Sequence, residues 1–402
     1  MDNFDLMRIT VGPFSTSSLH TTFLMEFNNH FFEIGKDAAE LLNYLKENGC
    51  DEVAVDTYVE SHDGHPSKDD VIEFLEMLSS KIAEGKVSST KKGVFLYRHD
   101  LISSEKVRKC ASSLKILFDS RVMMAIVGIF IILDFIHFTE FYTETIHVDL
   151  SIYTVIGLFL FFIFSSLIHE LGHASACHYF QIPHGNIGFG LYLNIPVFYT
   201  DVSQAWKLPR RERFLINIGG VYFQMVLLIP FLIAYFFFHY PFFKYIIVVM
   251  NMNFVITLNP FFKFDGYWIL SDVLGVANLR KKGTEWVGYV LSKIKNKKVE
   301  HRPYLFALSR GAKSGLVVYT VVVNLFFGFY FFYVLPLFFV RFYETFPDRF
   351  SLLIRELSYR QTPDWSNVQQ IVLQLLFLVL AFYMLYRIIY PFYKKIRVYK
   401  ES

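Results

Sequence analysis

From Val122 onward the sequence is dominated by apolar runs about as long as a lipid hydrocarbon core is thick, and that repetition leaves few folds open. Six runs can be delimited: Val122 to Phe138, Ile152 to Ala174, Phe214 to Phe238, Tyr245 to Phe262, Leu316 to Val340 and Val368 to Tyr390. A bilayer offers no partners for backbone N–H and C=O groups, so runs of this length are expected to be helices that satisfy those groups internally. With 53% hydrophobic residues and 46 phenylalanines among 402 residues, much of the apolar surface must face lipid. The expected fold class is an α-helical polytopic membrane protein with six transmembrane helices. Residues Met1 to Thr22 lack a basic start followed by an apolar core, so insertion is expected to rely on the internal spans.

The charge distribution orients these spans. Lys106, Arg108, Lys109, Lys115 and Arg121 precede the first run, whereas the connection after it carries Glu140, Glu144 and Asp149 and no Lys or Arg. Lys207, Arg210, Arg211 and Arg213 follow the second run, and a basic series from Arg280 to Lys298 follows the fourth. Lys394, Lys395, Arg397 and Lys400 lie near the carboxyl end. Because cytoplasmic loops hold the basic excess, six spans place both termini in the cytoplasm, in a multi-pass protein of the cell membrane. A net charge of only +3 gives no support for a nucleic-acid partner. Cys50, Cys110 and Cys177 show neither metal-type nor disulfide-type spacing.

Residues 1–100 read as a small soluble α+β module and 101–402 as the membrane domain. Phe31, Phe32 and Ile34 end a strand-like stretch, and Leu41, Leu42 and Leu45 recur at helical spacing. Ser67 and Asp70 form a capping-box pattern before Val71, Phe74, Leu75 and Leu78. This order resembles the winged-helix peptide-recognition domain of ribosomal-peptide maturation families, which binds a leader peptide by strand addition. The alternative is an unrelated small cytoplasmic domain.

The chemistry-bearing pattern is His169-Glu170-Leu171-Gly172-His173, in the last part of the second run. Residues four apart share a helix face, so both imidazoles can reach one Zn2+ ion while Glu170 lies beside it. Polar groups inside a span are costly and persist mainly where a function requires them. A catalytic zinc needs a third protein ligand, and Asp265 is the candidate, in Asn259-Pro260-Phe261-Phe262-Lys263-Phe264-Asp265-Gly266-Tyr267. Pro260 disrupts the helix and Gly266 permits a tight turn, so Asp265 can be aimed sideways. Glu170 is the expected general base of a metal-assisted hydrolysis. Asp134 and His137, one turn apart in the first run, are expected to be a structural pair.

The His-Glu-x-x-His on a span, followed two stretches later by Pro-x-x-x-x-Asp-Gly, resembles the site-2 protease family of intramembrane metalloproteases. Trp206-Lys207-Leu208-Pro209-Arg210-Arg211 and the string around Asp265 resemble its peptide zinc metalloprotease branch, linked to peptide maturation and export. The similarity covers a core of about 151–279. It implies His169, His173 and Asp265 as zinc ligands and Glu170 as general base. The alternating Phe189, Leu191, Leu193, Ile195 and Val197 read as strand. The resemblance makes this a membrane-associated hairpin that clamps an extended substrate; an ordinary cytoplasmic hairpin is the alternative. Family members often carry Asn three residues before the proline, where Thr257 stands here, which shifts the candidate substrate contact to Asn259. The third run has Gly219-Gly220 and Gln224 in place of the usual Gly-Pro and Asn. The expected partners are a peptide or membrane-protein substrate, the lipid bilayer and peptide export or maturation proteins. A non-catalytic peptide-binding or export partner is the competing class; a di-iron hydroxylase would need further histidine clusters.

Overall fold

The computed structural model describes residues 6–62, 66–88, 95–141, 151–192, 195–296, 302–359 and 362–401. The acidic connection at 142–150 and the basic residues at 297–301 therefore lie outside the described residues. The chain divides into two compact units, Met1–Leu316 and Val317–Ser402.

The first unit opens with an antiparallel meander of β1 (Thr10–Phe14), β2 (Thr22–Phe27) and β3 (His30–Gly35), in that order. Asn28 and Asn29 join β2 to β3 with φ of 48° and 64°. Two consecutive left-handed residues make a tight hairpin whose twist matches its strands, and asparagine tolerates that region better than most side chains. Helices α1 (Lys36–Asn48), α2 (Glu52–Ser61) and α3 (Lys68–Ser88) follow. Leu41, Leu42 and Leu45 pack with Met25, Phe27, Tyr58 and Val71 in one core. The capping box is present: Asp70 N donates to Ser67 Oγ (3.2 Å) and Ser67 N to Asp70 Oδ2 (3.0 Å).

Next come β4 (Phe95–Ile102), α4 (Ser104–Leu114), α5 (Ser120–Phe141) and α6 (Ile152–Tyr179), then the hairpin β5 (Ile187–Tyr192) and β6 (Ile195–Thr200). The hairpin pairs in register, with Phe189 opposite Phe198, and β4 adds antiparallel to β5. Helices α7 (Arg210–Phe238), α8 (Pro241–Thr257), α9 (Asp265–Leu274) and α10 (Leu279–Ile294) complete the described fold of this region. In the last part of the chain, α11 (Arg310–Phe329), a π-helical turn (Tyr330–Val334) and α12 (Leu335–Ser358) run on from one another, before α13 (Trp365–Glu401). Within the second unit α12 meets α13 through Phe338 and Phe377, ring centroids 4.2 Å apart, and Asn367 Nδ2 donates to Arg349 O (3.0 Å).

Among the described residues five helical stretches are long and apolar enough to cross a membrane: Ser120–Thr139, Ile152–Tyr179, Arg210–Phe238, Arg310–Ser358 and Trp365–Tyr383. The fourth expected run is a shorter apolar helix, α8, of 17 residues. Its ladder stops at Thr257 because Pro260 lacks an N–H and clashes with the preceding turn. The amino-terminal half of α6 presents Tyr153, Phe159, Leu160 and Phe164 to the surroundings, while Gly172 to Cys177 are buried. A helix whose exposed residues are apolar while its polar Ser165, Glu170, His173 and Ser175 are buried is arranged for lipid, the inverse of a soluble helix.

The amino-terminal sheet packs onto the region that holds α7 and α9. The β1–β2 loop enters beside the end of α9, where Ser17 N donates to Gly275 O (2.9 Å) and Arg210 Nη1 to Ser17 Oγ (2.6 Å). Gly275 has φ of +63°, and a Cβ there would stand 2.5 Å from Ser17 Oγ. Lys207 pairs with Glu26 (2.7 Å), Gln204 Nε2 donates to Asn29 Oδ1 (2.7 Å), and Tyr304 Oη donates to Glu33 Oε1 (2.7 Å).

Candidate metal centre

Ser151 caps α6, its hydroxyl accepting from Thr154 N (3.2 Å), and the helix then runs 28 residues. His169 and His173 lie one turn apart on one face, with ring centroids 4.8 Å apart at a near-perpendicular angle. The third group comes from elsewhere in the chain. After α8 the backbone turns, Asn259 Oδ1 accepting from Phe261 N (2.8 Å) and Arg280 donating to the Phe261 carbonyl, and α9 starts at Asp265. The turn is tight because Gly266 lies against the Leu258 backbone, where any Cβ would collide with the Leu258 carbonyl. Gly266 is thus required for close approach, since it is not among the residues with positive φ.

These elements bring three ligand atoms together. Asp265 Oδ2 lies 2.9 Å from His169 Nε2 and 3.3 Å from His173 Nε2, and the two Nε2 atoms are 3.1 Å apart. Ligands about 2.0–2.1 Å from a tetrahedral zinc stand about 3.3 Å from one another, so the triangle has the size of one face of such a tetrahedron. Asp265 Oδ2 is buried and receives no hydrogen bond. His173 Nδ1 lies 2.8 Å from the Ile216 carbonyl, which can only accept, so Nδ1 carries a proton and Nε2 is the nitrogen turned toward Asp265. Two imidazole Nε2 atoms and a carboxylate oxygen converging out of water could share a cation, and this donor set fits zinc. It is the one group of three among the described residues close enough to share an ion.

The surrounding packing is equally tight. A Cβ at Gly220 of α7 would stand 2.5 Å from His169 Cε1 and 2.6 Å from His173 Nε2, so only glycine lets α7 pass behind the two rings. Gly172 lies against Gly219, where a Cβ would meet the Gly219 carbonyl carbon at 2.8 Å, which brings α6 and α7 into backbone contact.

Glu170, 7% exposed, is buried between the two histidines in sequence, and its carbonyl accepts from Thr200 Oγ1 (3.4 Å) at the end of β6. Asn259 sits in the turn before Asp265. Asp134 accepts from Asn251 Nδ2 (2.9 Å), while the His137 ring packs edge-on against Tyr235 (4.7 Å). Cys177 is buried, and His184 bonds the Gly185 carbonyl (2.9 Å) in a turn. Ser165, Gln224, Asn253 and Gly220 complete the surroundings; the sequence marked Gly220 and Gln224 only as departures from the third-span pattern of the resembled family, and gave Ser165 and Asn253 no role. The signal available for Gln224 and Asn253 was an amide within an otherwise apolar run.

The arrangement can be set beside known proteins. Over 169 residues the chain is 24% identical to the Bacillus subtilis (strain 168) protein named "Putative peptide zinc metalloprotease protein YydH", an alignment covering 41% of this chain and 67% of that protein. No protein-family profile and no solved structure matches.

Proposed function

We propose that this chain is a membrane-embedded zinc endopeptidase of the site-2 protease type, cutting a peptide or membrane-associated substrate near the cytosolic face. The observation that carries this reading is the convergence of His169 Nε2, His173 Nε2 and Asp265 Oδ2 within 3.3 Å of one another from two separate segments. The similarity to a protein named as a peptide zinc metalloprotease supports it.

His169, His173 and Asp265 would hold the ion. Bound zinc supplies Lewis acidity that brings the pKa of a water to about 7. Glu170 would be the base that takes a proton from the attacking water and returns it to the leaving amine nitrogen. Asn259 would offer its side-chain amide to the substrate, its Oδ1 being engaged by the Phe261 N–H.

Depth follows from helix length. His169 is 18 residues beyond Ser151, about 27 Å along α6, close to the far side of a hydrocarbon core about 30 Å thick. With α8 as the sixth, shorter span and both termini cytoplasmic, that far side is the cytosol. A span of 17 residues, about 25 Å, suits a local thinning of the bilayer around a water-using site. β6 is the outer strand of its sheet and is tethered to the zinc helix through Thr200, so an extended substrate pairing with β6 would have its backbone groups satisfied where lipid cannot serve them. The winged-helix-like amino-terminal module would recruit that peptide, and maturation or export proteins would take the product.

The test is Glu170→Gln in the full chain. Zinc content stays at one per chain, and cleavage of the peptide that accumulates uncut in cells drops about 10²–10⁴-fold or more. A fully active Glu170→Gln protein overturns the mechanism. A zinc-loaded wild type that binds but never cuts such peptides establishes the competing class, a peptide-binding or export partner.

A further inference from the structure

Gln224 has no part in the chemistry proposed above, yet it is a long amide side chain, 2% exposed, in the apolar body of α7. Its Nε2 lies 3.0 Å from Ser165 Oγ and 3.4 Å from the Ser165 carbonyl. Its Oε1 lies 3.3 Å from His169 Nδ1 and 3.2 Å from Asn253 Nδ2. The four contacts permit one orientation of the amide. A carbonyl can only accept, so the –NH2 must face Ser165 and the oxygen must face His169. Asn253 donates to that same oxygen, and the Ser165 hydroxyl donates onward to Met250 Sδ (3.3 Å), which turns its lone pairs toward Gln224.

An acceptor-only oxygen against Nδ1 requires the imidazole to carry its proton there. The Nε2 lone pair of His169 then points at Asp265 Oδ2, 2.9 Å away. We infer that Gln224 is a positioning residue whose amide, locked by Ser165 on α6 and Asn253 on α8, holds His169 in its Nδ1–H tautomer with Nε2 presented as a metal ligand. His173 has no need of such a side chain, because the Ile216 main-chain carbonyl does the same for it at 2.8 Å. The two ligands on one helix are therefore oriented by different devices, one from the backbone and one from a three-helix amide chain. A partner of this kind fixes ring orientation and raises ligand basicity. The inference rests on the zinc reading of the site.

The experiment measures zinc affinity of the full-length, detergent-solubilised protein by competition with a chromophoric chelator. Gln224→Met, of similar length and unable to hydrogen-bond His169, is expected to lose 10–100-fold in affinity. Gln224→Glu keeps an oxygen for Nδ1 but loses the –NH2 that Ser165 holds, and is expected to fall between wild type and Gln224→Met. A second readout is the pair of slowly exchanging Nδ1–H resonances in zinc-loaded, nitrogen-labelled protein: Gln224→Met should lose one and keep the other. If Gln224→Met does not fold, Ser165→Ala frees the amide while leaving Gln224 in place, and should lower affinity several-fold and speed exchange of the same single resonance. A wild-type protein without zinc affinity brings down the zinc reading and this inference with it. Wild-type zinc binding with unchanged affinity and both resonances in the folded variants overturns the role of Gln224 and leaves the site standing.

Discussion

At the scale of the residue, the site depends on what is missing at position 220 as much as on the ligands. The rings of His169 and His173 occupy the volume that a methyl group on Gly220 would take. Adding atoms to a packed interior typically costs about 1–3 kcal/mol. Here the atoms that must yield are the ligating imidazoles, so Gly220→Ala is expected to lower zinc affinity at least tenfold, measured as metal retained per chain after dialysis against a chelator. Asp265→Asn replaces the anionic oxygen with a neutral one that still fits. It should retain the fold, with an unchanged unfolding midpoint for the metal-free protein, and lose most of the bound zinc. These two glycines, 220 and 266, are required by close approach of side chain or backbone, and a linear sequence gives no hint of which neighbour would collide.

At the scale of the element, the decisive event is the break between α8 and α9. The sequence places a helix break at Pro260, with Asp265 just beyond the apolar run; the structure ends that helix at Thr257 and gives Asp265 the first position of a new helix. An acid in a first helical turn is favoured by the unpaired backbone N–H groups there. α9 is then fixed to α7 by a buried pair, Arg213 Nε to Asp272 Oδ1 at 2.6 Å, each side chain 5% exposed, with Asn217 Nδ2 donating to the other oxygen (2.7 Å). Such a pair is a weak source of net stability, but removing one partner leaves an uncompensated charge. Arg213→Met is expected to destabilise the protein by about 3–5 kcal/mol in denaturant titration. The double variant Arg213→Met with Asp272→Leu should recover much of the loss. If the single and double variants unfold at the same midpoint, the charge left behind by Arg213 is not what destabilises the single one.

At the scale of the molecule, the amino-terminal module is joined to the membrane region by polar contacts, and Glu26 makes two of them, to Lys207 and Gln204. Burial raises the Glu26 carboxyl, but hydrogen bonds from Lys207, Gln204 and Thr10 outweigh it and hold the group below its ordinary value of 4.5. A carboxylate with a lowered native pKa adds stability that is fully present above the unfolded pKa and is lost as pH falls through the native one. Lys207 is half exposed, so the contribution is modest, up to about 1 kcal/mol. Glu26→Gln should therefore unfold earlier than wild type at pH 7, and the difference should shrink as the pH falls below 4.5. A difference that persists unchanged at pH 3 would assign it to shape and not to charge.

The apolar runs, the basic loops and the spacing of His169, Glu170 and His173 were legible in the residues themselves, because helical period and bilayer thickness act locally on the chain. Strand alternation gave the β5–β6 hairpin in the same way, and Ser67 with Asp70 gave a helix start. The tertiary structure alone decided that β4, nearly ninety residues away, extends that hairpin, that Gln224 reaches His169, and that Asn253 in turn reaches Gln224. Those features depend on which surfaces meet in space, and the free energy of a buried amide or a missing Cβ is set by its neighbours across the fold and not by those along the chain.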